Sequence, residues 1–95
     1  MSMDIDEYSD RSIAIGRGLL TLCGDLYEAT QEDFSLEEIQ RLLLQGKDKV
    51  ELFNSLVAET SGHKREEAKK SYGDYIESIY EYSQQLEEKI NNFSR

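Results

Sequence analysis

The sequence predicts an all-α fold, an antiparallel three-helix bundle with a long C-terminal helix. Between His63 and Phe93, apolar residues recur at Ala68, Tyr72, Tyr75, Ile79, Tyr82 and Leu86. Alternating steps of four and three place these side chains along one side of an α-helix. Two upstream stretches repeat the pattern, and the short polar segments between them favour antiparallel neighbours. No proline occurs anywhere in the 95 residues, so nothing forces a break inside these stretches.

The first helix is expected over residues 5–29. Ile5, Tyr8, Ser12, Ile15, Leu19, Leu22, Leu26 and Ala29 form a heptad row interrupted only by Ser12. Asp4-Ile5-Asp6-Glu7 offers a capping acceptor followed three residues later by an acid, which resembles a capping box. Against this stand Gly16, Gly18 and Gly24, each costing up to about 1 kcal/mol in a helix interior. Residues 1–11 are therefore expected to fray, with firm helix from Ser12. The glycines would also let a neighbouring helix approach closely.

The second helix is expected over residues 36–60. Ser35 and Glu38 form an S-x-x-E capping box, and Phe34 and Ile39 stand where a hydrophobic staple would close it. Its apolar row is Leu36, Ile39, Leu43, Val50, Phe53 and Val57, with Gly46 where another apolar residue is expected. Leu42, Leu44 and Leu56 broaden that face. Thr60-Ser61-Gly62 ends it, glycine being suited to the left-handed residue after a helix.

The third helix is expected over residues 63–93. A second row, Ile76, Ile79, Leu86, Ile90 and Phe93, overlaps the first and makes its apolar side wide enough for two neighbours. About 30 residues at 1.5 Å each give a spine roughly 45 Å long. Lys64, Arg65, Lys69 and Lys70 lie early, whereas Asp74, Glu77, Glu81, Glu87 and Glu88 lie late. That order opposes the helix macrodipole. A basic start facing the acidic first helix would supply a packing reason. With no repeat or linker visible, residues 1–95 read as one helical domain.

A single cysteine and a single histidine exclude an internal disulfide and the common zinc clusters. Stability must come from helix packing or association. Cys23 on an apolar row suits a reducing compartment, no apolar run of spanning length occurs, and the first residues are acidic; a cytoplasmic protein is expected. The net charge of −9 falls mostly on residues 1–33, which hold eight acids and two bases. Such a chain repels nucleic acid and anionic membranes, so neither is expected as a partner.

The adjacent acids Glu37-Glu38, Glu66-Glu67 and Glu87-Glu88 point about 100° apart on a helix and do not converge on an ion. Asp4, Asp6 and Glu7 lack the glycine and distal glutamate of a calcium loop. His63 lacks the Glu-x-x-His repeats of a helical di-metal site, Cys23 lacks a histidine partner, and Gly16-Arg17-Gly18 is too short to cradle phosphate. No enzyme activity, cofactor or metal is expected. Tyrosine suits half-buried positions and interfaces alike. Tyr72, Tyr75 and Tyr82 lie on the heptad row, where core lining is the plain alternative, while Tyr80 sits beside it as the candidate exposed contact.

These features favour a non-catalytic helical binding protein, a chaperone or adaptor capturing an amphipathic helix of a partner protein. Leu43, Val50, Phe53, Tyr72, Tyr75 and Tyr80 are the expected partner-binding residues. One rival is an acidic inhibitor, such as an immunity protein or antitoxin, that neutralises a basic protein surface. Another is a structural self-associating coiled coil, with the spare apolar face making a homodimer.

Leu19-Leu20-Thr21-Leu22 through Leu26-Tyr27-Glu28-Ala29-Thr30, then Ser35-Leu36-Glu37-Glu38-Ile39-Gln40-Arg41-Leu42-Leu43-Leu44, resembles the start of the small flagellar export chaperones, filament-cap chaperones among them. In that family a first helix ends near Tyr-x-x-Thr and a second carries paired leucines, a basic residue and further aliphatics. Leu42-Leu43-Leu44, Lys47 and Val50 stand in those places. Gly46-Lys47 replaces the family's charged pair, and no fourth helix follows Phe93. The resemblance implies a cytoplasmic chaperone that holds an export substrate's terminal helix against its second and third helices.

Overall fold

Ser35 starts its helix in the way its spacing from Glu38 requires. In a computed structural model of the protein, which describes residues 5–60 and 62–93, the Ser35 side chain accepts a hydrogen bond from the Glu38 backbone N–H at 3.2 Å. This satisfies one of the donors that every helix start leaves without a partner. Phe34, the residue before the cap, is half-buried against the core, as a staple residue should be. The elements are α1 (Ile5–Gln31), α2 (Leu36–Glu59) and α3 (His63–Phe93), and each helix packs on the other two. The body measures 51 × 18 × 17 Å, so its length is that of α3.

Neighbours in sequence run antiparallel. Arg11 near the start of α1 pairs with Glu59 at the end of α2, at 2.8 Å. Phe53 of α2 meets the edge of Tyr72 in the first half of α3, with ring centroids 6.4 Å apart. It follows that α1 and α3 run parallel. The Tyr8 hydroxyl donates to the Lys64 carbonyl at one end, and the Lys89 ammonium donates to the Ala29 carbonyl at the other.

On α1 the expected row is the core row from Tyr8 onward: Tyr8, Ile15, Leu19, Leu22, Leu26 and Ala29 are buried and Ser12 half-buried, while the side chain of Ile5 lies outside what the structure describes. Helix begins at Ile5, seven residues ahead of the expected firm start. The Tyr8 bond to Lys64, the Lys64 ammonium 4.7 Å above the Tyr8 ring and the Arg11–Glu59 pair tie these first turns to α2 and α3. The capping box at Asp4 lies outside the described residues. On α2 the buried residues are Ile39, Leu42, Gly46, Val50, Phe53 and Leu56, so Leu42 and Leu56 hold the centre of the face while Leu43 and Val57 move to its margin. A helix facing two neighbours buries the overlap of two rows, which displaced this centre.

The turn into α3 uses the left-handed residue the sequence calls for. Gly62 has φ +64°, and its carbonyl accepts the Glu66 N–H at 3.4 Å, so the glycine serves the entry to α3. Thr60 is the cap that ends α2, its backbone extended and its N–H bonded to the Val57 carbonyl. Ser61 lies outside the described residues.

Two bases of α3 serve the helix ends of its neighbours. None of the three helices has a base in its own last turn. The Arg65 Nε donates to the carbonyls of Val57 and Thr60 at the end of α2, at 3.1 and 3.0 Å. Lys89 donates to those of Ala29 and Glu32 at the end of α1, at 2.9 and 3.2 Å. A cation beside the terminal carbonyls of a helix is favourable, and here α3 provides both.

Candidate functional site: the groove between the second and third helices

Gly46 organises this site by what it lacks. It stands where the α2 pattern calls for an apolar side chain, and it is buried between α2 and α3. A Cβ there would meet Ile79 Cγ2 at 3.5 Å and Ser83 Oγ at 3.8 Å, which is ordinary contact. A methyl group therefore fits, and none is present. Beside Gly46 runs a groove of about 460 Å³ lined by Leu43, Gly46 and Val50 of α2 and by Ile79, Tyr80 and Ser83 of α3. Lys47, Glu51 and Glu87 carry the charges at its edges.

The six expected binding residues separate into two groups. Leu43, Val50 and Tyr80 line the groove. Val50 is buried in its wall, Leu43 is half-buried, and Tyr80 is 56% exposed. Phe53, Tyr72 and Tyr75 do not line it. Phe53 is core. The Tyr72 hydroxyl donates to the Ser12 carbonyl at 2.9 Å and lies 2.9 Å from the Ser12 hydroxyl. Tyr75 is half-buried on the α1 side, its carbonyl accepting the Cys23 S–H at 3.5 Å. A tyrosine on the heptad row of α3 points toward α1, and Tyr80, about 100° around the helix from Ile79, points toward the α2 side.

Ile79, Ser83, Lys47, Glu51 and Glu87 were not foreseen as site residues. The signal for them was the gap at Gly46, since a missing side chain exposes whatever packs across from it.

The other polar groups are explained by structure. Burial pushes the Cys23 thiol above its ordinary 9.0. Burial, and then the charge of Glu67, push the Tyr8 phenol above 10.0. The bond from Arg11 holds the exposed Glu59 carboxyl below 4.5. Among the described residues no group of three or more His, Cys, Asp or Glu side chains converges as a metal site would require, and no helix is long and apolar enough to cross a membrane. Comparison of the chain with models of protein families, with curated proteins and with solved structures finds no match.

Proposed function

We propose that the chain is a non-catalytic binding protein, a chaperone or adaptor, that receives an amphipathic helix of a partner protein in the groove between α2 and α3. The supporting observation is Gly46. An interior helical glycine costs about 1 kcal/mol relative to alanine, and an apolar side chain there would add buried surface. A sequence shaped only for stability would fill the position. Keeping it bare is the kind of sacrifice made at binding sites.

The groove suits a helix better than an extended strand, because both walls are helices whose backbone groups are already paired and cannot extend a sheet. One or two apolar side chains of the visitor would enter between Leu43 and Val50, with Tyr80 closing over them. The surplus of acid on the chain favours a visitor whose flanks are basic. The resemblance to flagellar export chaperones leads to the same surface, since their substrate helix would lie against the second and third helices.

Affinity capture from the native host with wild-type protein and with Tyr80→Ala tests the reading. Because Tyr80 is exposed, the variant should keep wild-type helicity and unfolding midpoint while losing the captured protein. A captured protein equally retained by Tyr80→Ala would remove the groove from the function. Unfolding of the variant would make Tyr80 a core residue and end the assignment.

A further inference from the structure

The outer face of α1 carries a row that the bundle uses at only one place, where the Tyr27 ring meets the Tyr82 ring of α3 edge-on with centroids 5.7 Å apart. Ile13, Leu20 and Tyr27 are spaced by sevens and are 53%, 58% and 52% exposed. Arg17, Gly24 and Gln31 complete the row in steps of four and three, and all three are exposed. At 100° per residue these six positions lie roughly opposite the buried row of Ile15, Leu22 and Leu26, so the row faces out of the bundle, with Tyr27 leaning toward Tyr82 of α3 and Arg17 toward α2. Gly24 is the odd member. A Cβ at Gly24 would meet nothing within 4 Å, so no close approach within the chain accounts for a helix-weakening residue there. Arg17 has no acidic partner among the described residues.

We propose that this row is the seam of a homodimer in which α1 packs antiparallel against α1 of a second copy, around a two-fold axis passing near Leu22. That axis brings Leu20 against Gly24 of the second copy, Arg17 against Tyr27 of the second copy and Ile13 against Gln31 of the second copy, each pair occurring twice. Large meets small at the first pair, which gives Gly24 the role it lacks in the monomer. At the second pair a guanidinium covers the exposed side of an aromatic ring whose other side meets Tyr82. At the third the Gln31 stem lies over an aliphatic side chain. Glu28 falls one residue beyond Tyr27, within reach of Arg17 of the second copy, so the main cation of the seam meets an acid as well. A parallel pairing would set Arg17 against Arg17 and leave the Gly24 positions facing each other across an empty space. The antiparallel register is therefore the one the side chains fit.

The seam lies on α1 and the groove lies between α2 and α3, so the two can be occupied independently.

Sedimentation equilibrium of the full chain, from about 1 µM to about 1 mM, tests the proposal. The wild type should move from 11.0 kDa toward twice that mass, with half-association at roughly tens of micromolar, the weak end expected for so short a contact. Leu20→Glu should stay monomeric, with affinity reduced at least about tenfold and helicity unchanged. Gly24→Leu should raise the unfolding midpoint of the monomer while also weakening association at least about tenfold, because it fills the seat of Leu20. A wild type that stays at 11.0 kDa throughout overturns the dimer. A Leu20→Glu variant that associates like the wild type overturns the seam, and a Gly24→Leu variant that associates as well or better overturns the antiparallel register.

Discussion

The phenol ring of Tyr72 occupies the space that a side chain at Gly16 would need. A Cβ at Gly16 would stand 2.8 Å from Tyr72 Cε1 and 2.9 Å from its hydroxyl oxygen, closer than such atoms approach. The ring cannot swing aside cheaply, because its hydroxyl is bonded to the Ser12 carbonyl and its edge packs against Phe53. The glycines of the chain therefore fall into distinct classes, and single alanine substitutions separate them.

Gly16→Ala should destabilise the protein by about 1–3 kcal/mol in urea unfolding, the clash outweighing the helix propensity gained. Gly73→Ala, where a Cβ would meet nothing within 4 Å, should stabilise it by roughly 0.5–1 kcal/mol. Gly62→Ala should cost about 1 kcal/mol, because residue 62 has φ +64°. A Gly16→Ala variant as stable as the wild type would show that Tyr72 is free to move.

Arg65 should matter more than its basic neighbours. Arg65→Met keeps the apolar stem but removes both bonds to the end of α2, and should cost about 1–2 kcal/mol by urea unfolding. Lys69→Met, on the exposed face of the same helix, should change stability by less than about 0.5 kcal/mol. Equal effects would mean that Arg65 acts through overall charge rather than capping.

Alkaline pH should weaken the fold from about pH 9 upward. The folded chain holds the Cys23 and Tyr8 protons to higher pH than the unfolded chain does, since burial raises the first above 9.0 and the second above 10.0. With more protons bound in the folded state, stability falls as pH rises through that range, and below it these groups add no slope. The urea midpoint followed from pH 8 to about pH 11 checks this. Cys23→Ala should remove the part of the slope that starts near 9, and Tyr8→Phe the part above 10. Slopes identical to wild type in both variants would assign the loss to other groups.

Much of the fold was legible because helix periodicity, caps and glycines are local signals. The α1 row, the Ser35 cap and the start and end of α3 stand where the spacing placed them. What was less legible depended on neighbours distant in sequence. The early start of α1 rests on Lys64 and Glu59, far along the chain from the turns they hold. The centring of α2 on Leu42 and Leu56, in place of Leu43 and Val57, depends on where α1 and α3 sit around it. Tyr80 could be told from Tyr72 and Tyr75 by register alone, but Phe53 could not be told from Val50, because both share one face of α2. Both are buried to the same degree, and only the placement of α3 decides that Val50 borders the groove while Phe53 meets Tyr72.

The most direct test is Gly46→Leu, read in one experiment as both the unfolding midpoint and the amount of partner captured. Leucine has better helix propensity and its side chain would have to enter the groove beside Ile79 and Ser83, so capture should be lost while the midpoint does not fall. A variant that is at least as stable and still captures its partner would show that the hollow is only a packing fault and that the partner binds elsewhere.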